Sequence, residues 1–281
     1  MINYYLITKP GIVMGNLFTV AAGFLLASRG VFYPQLFLAT LAGLGFIMAS
    51  ACIFNNYIDR FLDQKMQRTK QRALVTGSIS NQQAILFATA LAIIGSVILL
   101  LFTNYLSFLV ASIGFFVYVV LYSLWKSKTV YGTAIGSIAG AVPPVVGYCA
   151  VSNQFDLGAI LLFALLVLWQ MPHFFAIAIF HYDDYAAAKI PLLPIEKGLL
   201  VTKIHMLLYI TAFIFAAASL TYFNFTGYIY LIFTMTFSLG WLALSIKGFS
   251  SKNHHQWAKE MFRLSLVIIG AICLLIPLDT V

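Results

Sequence analysis

The sequence predicts an all-α polytopic membrane protein with about nine transmembrane helices. Of its 281 residues, 62% are hydrophobic and 9% are charged, whereas soluble domains carry about 25% charged residues. A single soluble core cannot enclose so much apolar surface. Apolar runs of roughly 20 residues, the length that crosses a bilayer, recur along the whole chain. The basic residues, moreover, are predicted to lie almost entirely on one side of the membrane.

Each apolar run is expected to be helical, because lipid offers no partner to unpaired backbone groups. The nine predicted spans are residues 11–28, 34–56, 82–103, 105–124, 132–150, 157–180, 204–223, 227–246 and 260–278. The first run ends without a small-residue cleavage pattern, so we expect a retained helix rather than a signal peptide. The spans are interpreted as one transmembrane domain, residues 1–281.

The net charge of +8 is explained by topology. If the N-terminus faces the cytoplasm, all of the 16 lysines and arginines except Arg29 lie on the cytoplasmic side. This asymmetry follows the positive-inside rule and predicts a C-terminus on the opposite, periplasmic side. A nucleic-acid partner is therefore not needed to explain the charge.

Two features predict no chemistry. Cys52, Cys149 and Cys273 lie singly within apolar runs, without the spacing of a metal or redox site, and packing is their expected role. The polar segment 247–263 has no recognisable pattern, and we interpret it as a solvated amphipathic linker.

Gly132, Gly136 and Gly140 recur every fourth residue and predict a smooth stripe on one helix face. Such a stripe usually permits close helix contact in membranes. The pair Pro143 and Pro144 is expected to break the helix within the membrane, where the freed carbonyls must face protein or a cavity. The stripe is compatible with packing, with lining a substrate groove, or with both.

The strongest chemical signal begins at Asn55 and reads NNYIDRFLDQKMQRTKQR. Asn55, Asp59 and Asp63 are spaced by four and advance along one face of a continuing helix. Two carboxylates one turn apart repel each other unless a cation joins them, and such oxygens suit Mg²⁺ bound to substrate phosphates. Arg68 and Arg72 follow as bidentate partners for those phosphates. The alternative is an ordinary charged helix end, which explains the basic residues but poorly explains the regularly spaced acids.

A second polar group follows the sixth span. Asp183 and Asp184 close it on the same predicted membrane face as the first motif, so both acidic clusters are expected to converge on one metal-bound anion. Within the span, His173 is either a satisfied interior group or a porphyrin contact. Lys126, like Lys128, is either a topological anchor or a diphosphate contact.

Four stretches carry a resemblance to a known family: TKPGIVMGN from Thr8, FNNYIDRFLDQKMQRTKQR from Phe54, YGTAIGSIAGAVPPVVGY from Tyr131, and WQMPHFFAIAIFHYDDYAAAKIPLLP from Trp169. The chain resembles the UbiA superfamily of intramembrane prenyltransferases over nearly its whole length. The first acidic motif indicates only the superfamily, whereas WQMPHF and DDYAAAKIPLLP are similar to its haem O synthase branch.

The resemblance implies nine helices around a central cavity and transfer of a farnesyl group from farnesyl diphosphate to a vinyl group of haem B. It implies Mg²⁺ as cofactor, a bacterial inner membrane as location, and contacts with proteins that handle haem or assemble terminal oxidases. The implied catalytic residues are Asp59, Asp63 and Asp184. The metal set is Asn55, Asp59, Asp63, Asp183 and Asp184; Arg68, Arg72 and Lys126 contact the diphosphate, and His173 the haem.

Two departures from the family pattern are visible. Phe61 stands where relatives often have an acid, although it is expected to face away from the metal stripe. Asp183 and Asp184 are adjacent, whereas many members space two acids by four, so how the second cluster shares the metal is open.

Three alternative functions are weighed against farnesyl transfer to haem. A prenyltransferase acting on an aromatic acid or quinone precursor would not need a haem-sized cleft. A transporter tends to place ionisable sites near the bilayer midplane within repeated halves, but here the acids cluster at one surface and no repeat is visible. A non-catalytic haem-binding assembly protein would tolerate loss of Asp59 and Asp63.

Overall fold

The computed structural model describes residues 2–281, which form fifteen α-helices and one π-helical segment, Val117–Tyr122. In chain order the α-helices are α1 (Ile2–Ile7), α2 (Pro10–Ser28), α3 (Pro34–Asp63), α4 (Ala73–Thr76), α5 (Asn81–Phe102), α6 (Tyr105–Phe116), α7 (Ser123–Trp125), α8 (Gly132–Gly140), α9 (Val142–Ser152), α10 (Leu157–Phe180), α11 (Tyr182–Ala187), α12 (Leu193–Glu196), α13 (Gly198–Tyr222), α14 (Tyr228–Lys247) and α15 (His254–Leu278).

Within residues 2–281, nine helical segments are long and apolar enough to cross a membrane, which confirms the predicted number. Two of them are composite: α6, the π-helix and α7 form one span, as do α8 and α9. Many large apolar side chains on the outer helices are exposed, as expected of surfaces that face lipid. The chain is therefore a multi-pass membrane protein.

Three spans, α3, α13 and α15, are at least five residues longer than predicted, although the continuation of α3 through the acidic motif is the one that the motif's spacing predicts. Helix α3 runs 30 residues to Asp63, so the first acidic motif lies on the same helix that crosses the membrane. Helix α15 begins at His254, where the Asn253 side chain caps the Gln256 amide at 3.0 Å. The prediction that 247–263 is a solvated linker is wrong from residue 254 onward. Trp257, with Ala258 and Met261 beside it, buries one face of this first part of α15 in the core.

Glycines set the contact between α2 and α9. A Cβ at Gly23 would overlap the backbone oxygen of Pro144, and one at Gly147 would overlap that of Val20. The two backbones therefore pack directly against each other, as small residues allow in membranes. The three cysteines are free and buried, which confirms packing as their role.

The stripe of glycines in 132–140 confirms the packing interpretation. A Cβ at Gly132 would lie 2.8 Å from the Lys126 Cα, and one at Gly136 would lie 3.0 Å from the Tyr122 ring. The helix breaks at Ala141, and the proline pair lies in the first turn of α9, directly after Val142. The stripe thus brings α8 onto the end of the preceding span.

The two ends of the bundle use their acids differently. At one end, Asp156 Oδ1 accepts the Gly158 amide at 2.9 Å, and Asp279 Oδ2 accepts the Tyr230 amide at 2.6 Å. Both acids satisfy the first amides of helices, which is a structural role. We call the opposite end, formed by residues 64–72, 126–131, 181–197 and 248–253, the polar end.

Candidate active site

The first acidic motif lies at the polar end as a stripe of buried side chains, each held by a cation. Asn55, Asp59 and Asp63 are 2%, 5% and 2% exposed. Lys9 Nζ donates to Asn55 Oδ1 at 2.6 Å, and Lys126 forms an ion pair with Asp59 Oδ2. Arg72 Nη1 lies 2.7 Å from Asp63 Oδ2. Buried charges need such partners, because an unpaired ion in a low dielectric is costly.

The stripe exists because α3 continues without a break to Asp63. Residues four apart on a helix lie one above the other on one face, which puts the three side chains in line. Asn56 points elsewhere: its Nδ2 donates to the Ile7 carbonyl at 2.8 Å, and its Oδ1 accepts from Arg72 at 3.3 Å. Asn56 therefore ties α1 and the loop after α3 to the motif. Phe61 is 62% exposed, as predicted for a side chain that faces away.

Lys126 reaches the stripe through the π-helical turn. The segment Val117–Tyr122 is followed by Ser123, whose Oγ accepts a hydrogen bond from Asn55 Nδ2 at 2.9 Å and donates to the Tyr118 carbonyl at 3.0 Å. Lys126 Nζ lies 5.0 Å from the centre of the Tyr122 ring, within cation–π range. Because π-bulges re-aim the residues that follow them, this turn places both Ser123 and Lys126 at the motif.

The second acidic cluster joins the first through the loop after α3. Asp184 Oδ1 accepts the Gln67 amide at 3.0 Å, and Arg68 Nη2 donates to the Tyr185 hydroxyl at 3.3 Å. Burial raises the pKa of Tyr185, and its hydroxyl oxygen accepts this hydrogen bond from Arg68. Asp183 is exposed. The structure thus brings Asp184, and not Asp183, to the loop that carries Arg68 and Arg72.

The side-chain oxygens of Asn55, Asp59 and Asp63 are of the kind that ligates a hard divalent cation. Asp59 Oδ1 is buried and has no hydrogen-bond partner among the described residues, which leaves a carboxylate oxygen free to ligate. Amide and carboxylate oxygens are what Mg²⁺ takes from proteins, with water and phosphate oxygens completing its shell. Within residues 2–281, no three His, Cys, Asp or Glu side chains converge as a ready-made metal cage.

A cavity of about 300 Å³ opens beside the stripe at the polar end. Its lining holds three cations and no acid, with the remaining positions apolar or uncharged. The lining residues are Asn3, Leu6, Ile7, Lys9, Asn56, Arg68, Gln71, Arg72, Ala73, Leu74 and Ser78. Burial, together with the charges of Arg72 and Lys126, lowers the pKa of Lys9 to about 8. This concentration of positive charge suits a polyanion such as a diphosphate.

His173 lies deeper, between α10 and α15. It is 8% exposed, and its Nδ1 is 2.7 Å from the Ser265 Oγ. Its ring stacks on Trp169 with 4.7 Å between centroids and lies 5.0 Å from Phe262. The structure therefore does not bring His173 into direct contact with the acidic stripe.

Sequence reasoning missed several of these contacts. The positive-inside rule alone explains Lys9 in the sequence, so its hydrogen bond to Asn55 is not predicted. The position of Lys9 directly before the proline that starts a span is the one local feature that marks it. Ser123 and Ser265 carry no pattern, because their roles arise from contacts 68 and 92 residues away. Gln67 contributes only its backbone amide, which no side-chain pattern can reveal.

Comparison with known proteins identifies the family to which this architecture belongs. Residues 16–267 match the model of the UbiA prenyltransferase family. The chain is 59% identical over 282 residues to the protoheme IX farnesyltransferase of Protochlamydia amoebophila, covering 100% of both chains.

Two solved structures share the fold. A digeranylgeranylglyceryl phosphate synthase has a TM-score of 0.81 at 17% identity, over 98% of this chain and 96% of that one. A UbiA homologue from Archaeoglobus fulgidus bound to GPP and Mg²⁺ has a TM-score of 0.73 at 16% identity, over 98% and 99%. The chain belongs to the UbiA prenyltransferase family.

Proposed function

We propose that this protein converts haem B to haem O by transferring a farnesyl group from farnesyl diphosphate to a haem vinyl group. The observation that carries the proposal is the buried Asn55–Asp59–Asp63 stripe, lined by cations at one end of an apolar bundle. The choice of donor and acceptor rests on full-length similarity to protoheme IX farnesyltransferases. Membership of a prenyltransferase family removes the transporter from the alternatives.

The donor's diphosphate is proposed to bind at the cationic cavity, where Arg68 and Arg72 line the wall and Lys126 stands across the stripe. Their fixed positive charges would stabilise the negative charge that grows on the leaving diphosphate. Asn55, Asp59 and Asp63 would hold Mg²⁺, and Asp184 would join them through the loop at Gln67. Mg²⁺, when bound, supplies Lewis-acid neutralisation of phosphate oxygens. The exposure of Asp183 favours Asp184 as the contributing acid.

The transfer needs no protein nucleophile. The allylic carbon–oxygen bond of the donor breaks, and its electron pair leaves with the diphosphate. The terminal vinyl carbon of haem B bonds to the allylic carbon, which leaves a cation on the vinyl carbon beside the porphyrin. Water adds there and releases a proton, giving a hydroxyethylfarnesyl group. The apolar helices would keep bulk water from the allylic cation until the carbon–carbon bond forms.

The chain is proposed to act as one transmembrane prenyltransferase domain in a bacterial inner membrane, with the polar end in the cytoplasm and the C-terminus in the periplasm. The distribution of lysine and arginine supports this orientation. A membrane-impermeant thiol reagent should label Lys252→Cys only from the cytoplasmic side. Proteins that deliver haem or assemble oxidases are proposed as partners.

The product assay tests the function directly. Purified protein in nanodiscs is incubated with haem B and farnesyl diphosphate, and haem O is measured by mass spectrometry. We expect product with Mg²⁺, none after chelation by EDTA, and recovery on adding Mg²⁺ back. Full-rate product with all divalent ions removed would contradict the metal site. Prenylation of a small aromatic acid in place of haem would support the rival acceptor.

Substitutions locate the chemistry. Asp59→Ala and Asp63→Ala are expected to abolish turnover, because each removes an oxygen ligand from the buried stripe. Glu196→Ala is the matched control, since Glu196 is an exposed acid at the same end of the bundle. If the two stripe variants made haem O at the rate of Glu196→Ala, the stripe would not be the catalytic site. That result would support the alternative of a non-catalytic haem-binding protein.

A further inference from the structure

The seam between α10 and α15 contains an imidazole that is fixed on one side and unpartnered on the other. His173 is more than nine-tenths buried, and its Nδ1 contacts the Ser265 hydroxyl at 2.7 Å. Among residues 2–281, no group forms a hydrogen bond with its Nε2. This nitrogen is not one of the fully enclosed polar atoms that lack a partner, so it keeps some accessible surface and a ligand could reach it.

Counting hydrogen bonds assigns the tautomer of His173. The Ser265 hydroxyl has one proton, and its Oγ lies 2.6 Å from the Phe262 carbonyl and 2.7 Å from His173 Nδ1. If the hydroxyl donates to the carbonyl, it accepts from Nδ1–H and two hydrogen bonds form. If it donates to Nδ1 instead, only one forms and Nε2–H has no acceptor. The first arrangement is favoured, and it leaves Nε2 with a bare lone pair.

The aromatic neighbours hold this ring in one orientation. Trp169 stacks on His173 at an interplanar angle of 24°, and Phe262 covers it from α15. Trp169 Nε1 in turn donates to the Ser265 backbone carbonyl at 2.9 Å. Ser265 thus anchors both the imidazole and the ring stacked on it. A histidine whose second nitrogen donates to a fixed acceptor is the usual arrangement of a metal-ligating histidine.

Further along the seam, toward the polar end, basic side chains surround Phe180. Its ring lies 4.5 Å from the His255 ring, and Lys259 Nζ lies 5.7 Å from its centre. Phe180 is seven residues beyond His173, or about 10 Å along the helix axis. The seam therefore offers a nitrogen ligand at depth, with the Lys259 ammonium and the His255 imidazole nearer the surface, which matches a metalloporphyrin that carries carboxylates.

We propose that Ser265 is a positioning residue that fixes His173 in its Nδ1–H tautomer, so that Nε2 ligates the iron of the haem acceptor. This proposal rests on the proposed function, because it takes haem B as the acceptor. Iron ligation by His173 would set the depth of the porphyrin in the seam.

Spectroscopy of the full-length protein tests the proposal. Purified protein in nanodiscs is titrated with haem B and, separately, with iron-free protoporphyrin IX, and binding is followed by absorption in the Soret region. We expect wild type to show a nitrogen-ligated haem spectrum. Ser265→Ala should bind haem B about 10- to 100-fold more weakly, as is typical when a ligand-orienting partner is removed. Ser265→Thr retains the hydroxyl and should restore the spectrum.

The controls separate ligation from folding. Affinity for iron-free porphyrin should be unchanged in Ser265→Ala and in His173→Ala, because neither change removes the seam. In His173→Gly, added imidazole should restore the nitrogen-ligated spectrum. A wild-type haem spectrum and affinity in Ser265→Ala, or equal losses for both porphyrins, would overturn the proposal.

The product assay distinguishes this proposal from the proposed function. Haem O formation by a protein whose haem shows no nitrogen ligand would refute the ligation and leave the function standing. A nitrogen-ligated haem that is never farnesylated would refute the proposed function and support iron ligation by His173.

Discussion

The Asp59–Lys126 ion pair allows structural and catalytic contributions to be measured separately. The side chains are 8% and 12% exposed, so both charges are largely removed from water. Removing one partner of a buried pair leaves an uncompensated charge and costs about 3–5 kcal/mol, whereas replacing both is often nearly neutral. We therefore expect Asp59→Asn and Lys126→Met each to lower the free energy of unfolding by that amount. The double variant should be within about 1 kcal/mol of wild type.

The assay is thermal unfolding in detergent, beside haem O formation. For a domain of 150–250 residues, 1 kcal/mol shifts Tm by roughly 2–4 °C, so each single variant should lose about 6–20 °C and the double variant should recover most of it. Turnover should be lost in all three variants, because each removes a group proposed to bind the metal or the diphosphate. The reasoning fails if the two losses of Tm add in the double variant, or if the double variant regains activity with its stability.

Three further predictions follow from particular contacts. Gly23→Ala should lower the free energy of unfolding by about 1–3 kcal/mol, because its Cβ overlaps the Pro144 backbone oxygen. Gly15→Ala, on the same helix with nothing within 4 Å, should be neutral or slightly stabilising, and equal thermal shifts would contradict the close contact. Ser123→Ala should reduce kcat/KM about tenfold, the equivalent of one lost hydrogen bond of about 1.4 kcal/mol to Asn55. Ser123→Thr should retain activity, and steady-state kinetics would reject the contact if both variants behaved alike. Asp184→Asn should reduce turnover at least about 100-fold, as for loss of a preorganised electrostatic group. Asp183→Asn should leave turnover within about twofold of wild type, because Asp183 is exposed. Reversed effects would assign the second site to Asp183.

The membrane architecture was predictable because its signal is repeated and strong. Nine apolar runs and one-sided basic residues gave the number of spans, and the structure agrees. The helix ends were less predictable. The predicted continuation of the second helix through Asp59 and Asp63 is confirmed, because α3 extends to Asp63. The last span, however, begins at His254 and not at residue 260, because Trp257 and Met261 pack into the core.

The acidic stripe was visible as a spacing of four, since a single helix carries it. Its cations were only partly predictable. Arg72 follows nine residues after Asp63, but Lys9 meets Asn55 from 46 residues away. Ser123 depends on a π-helical turn, and hydrophobic periodicity does not reveal one extra residue in a helix. Contacts that cross between spans are set by packing and leave no local pattern.

The π-helical turn at Val117–Tyr122 makes the length of this span critical to a single residue. A π-turn accommodates one residue more than an α-helical turn. If the same residues formed an uninterrupted α-helix instead, everything after the segment would lie about 100° further around the helix axis and about 1.5 Å further along it. Ser123 and Lys126 would then turn away from α3 together, although neither residue had been changed. Deleting one residue from the segment would compensate, because an α-helix one residue shorter returns both side chains to their present register. Chain length, as well as residue identity, is therefore part of how this protein specifies its catalytic charge.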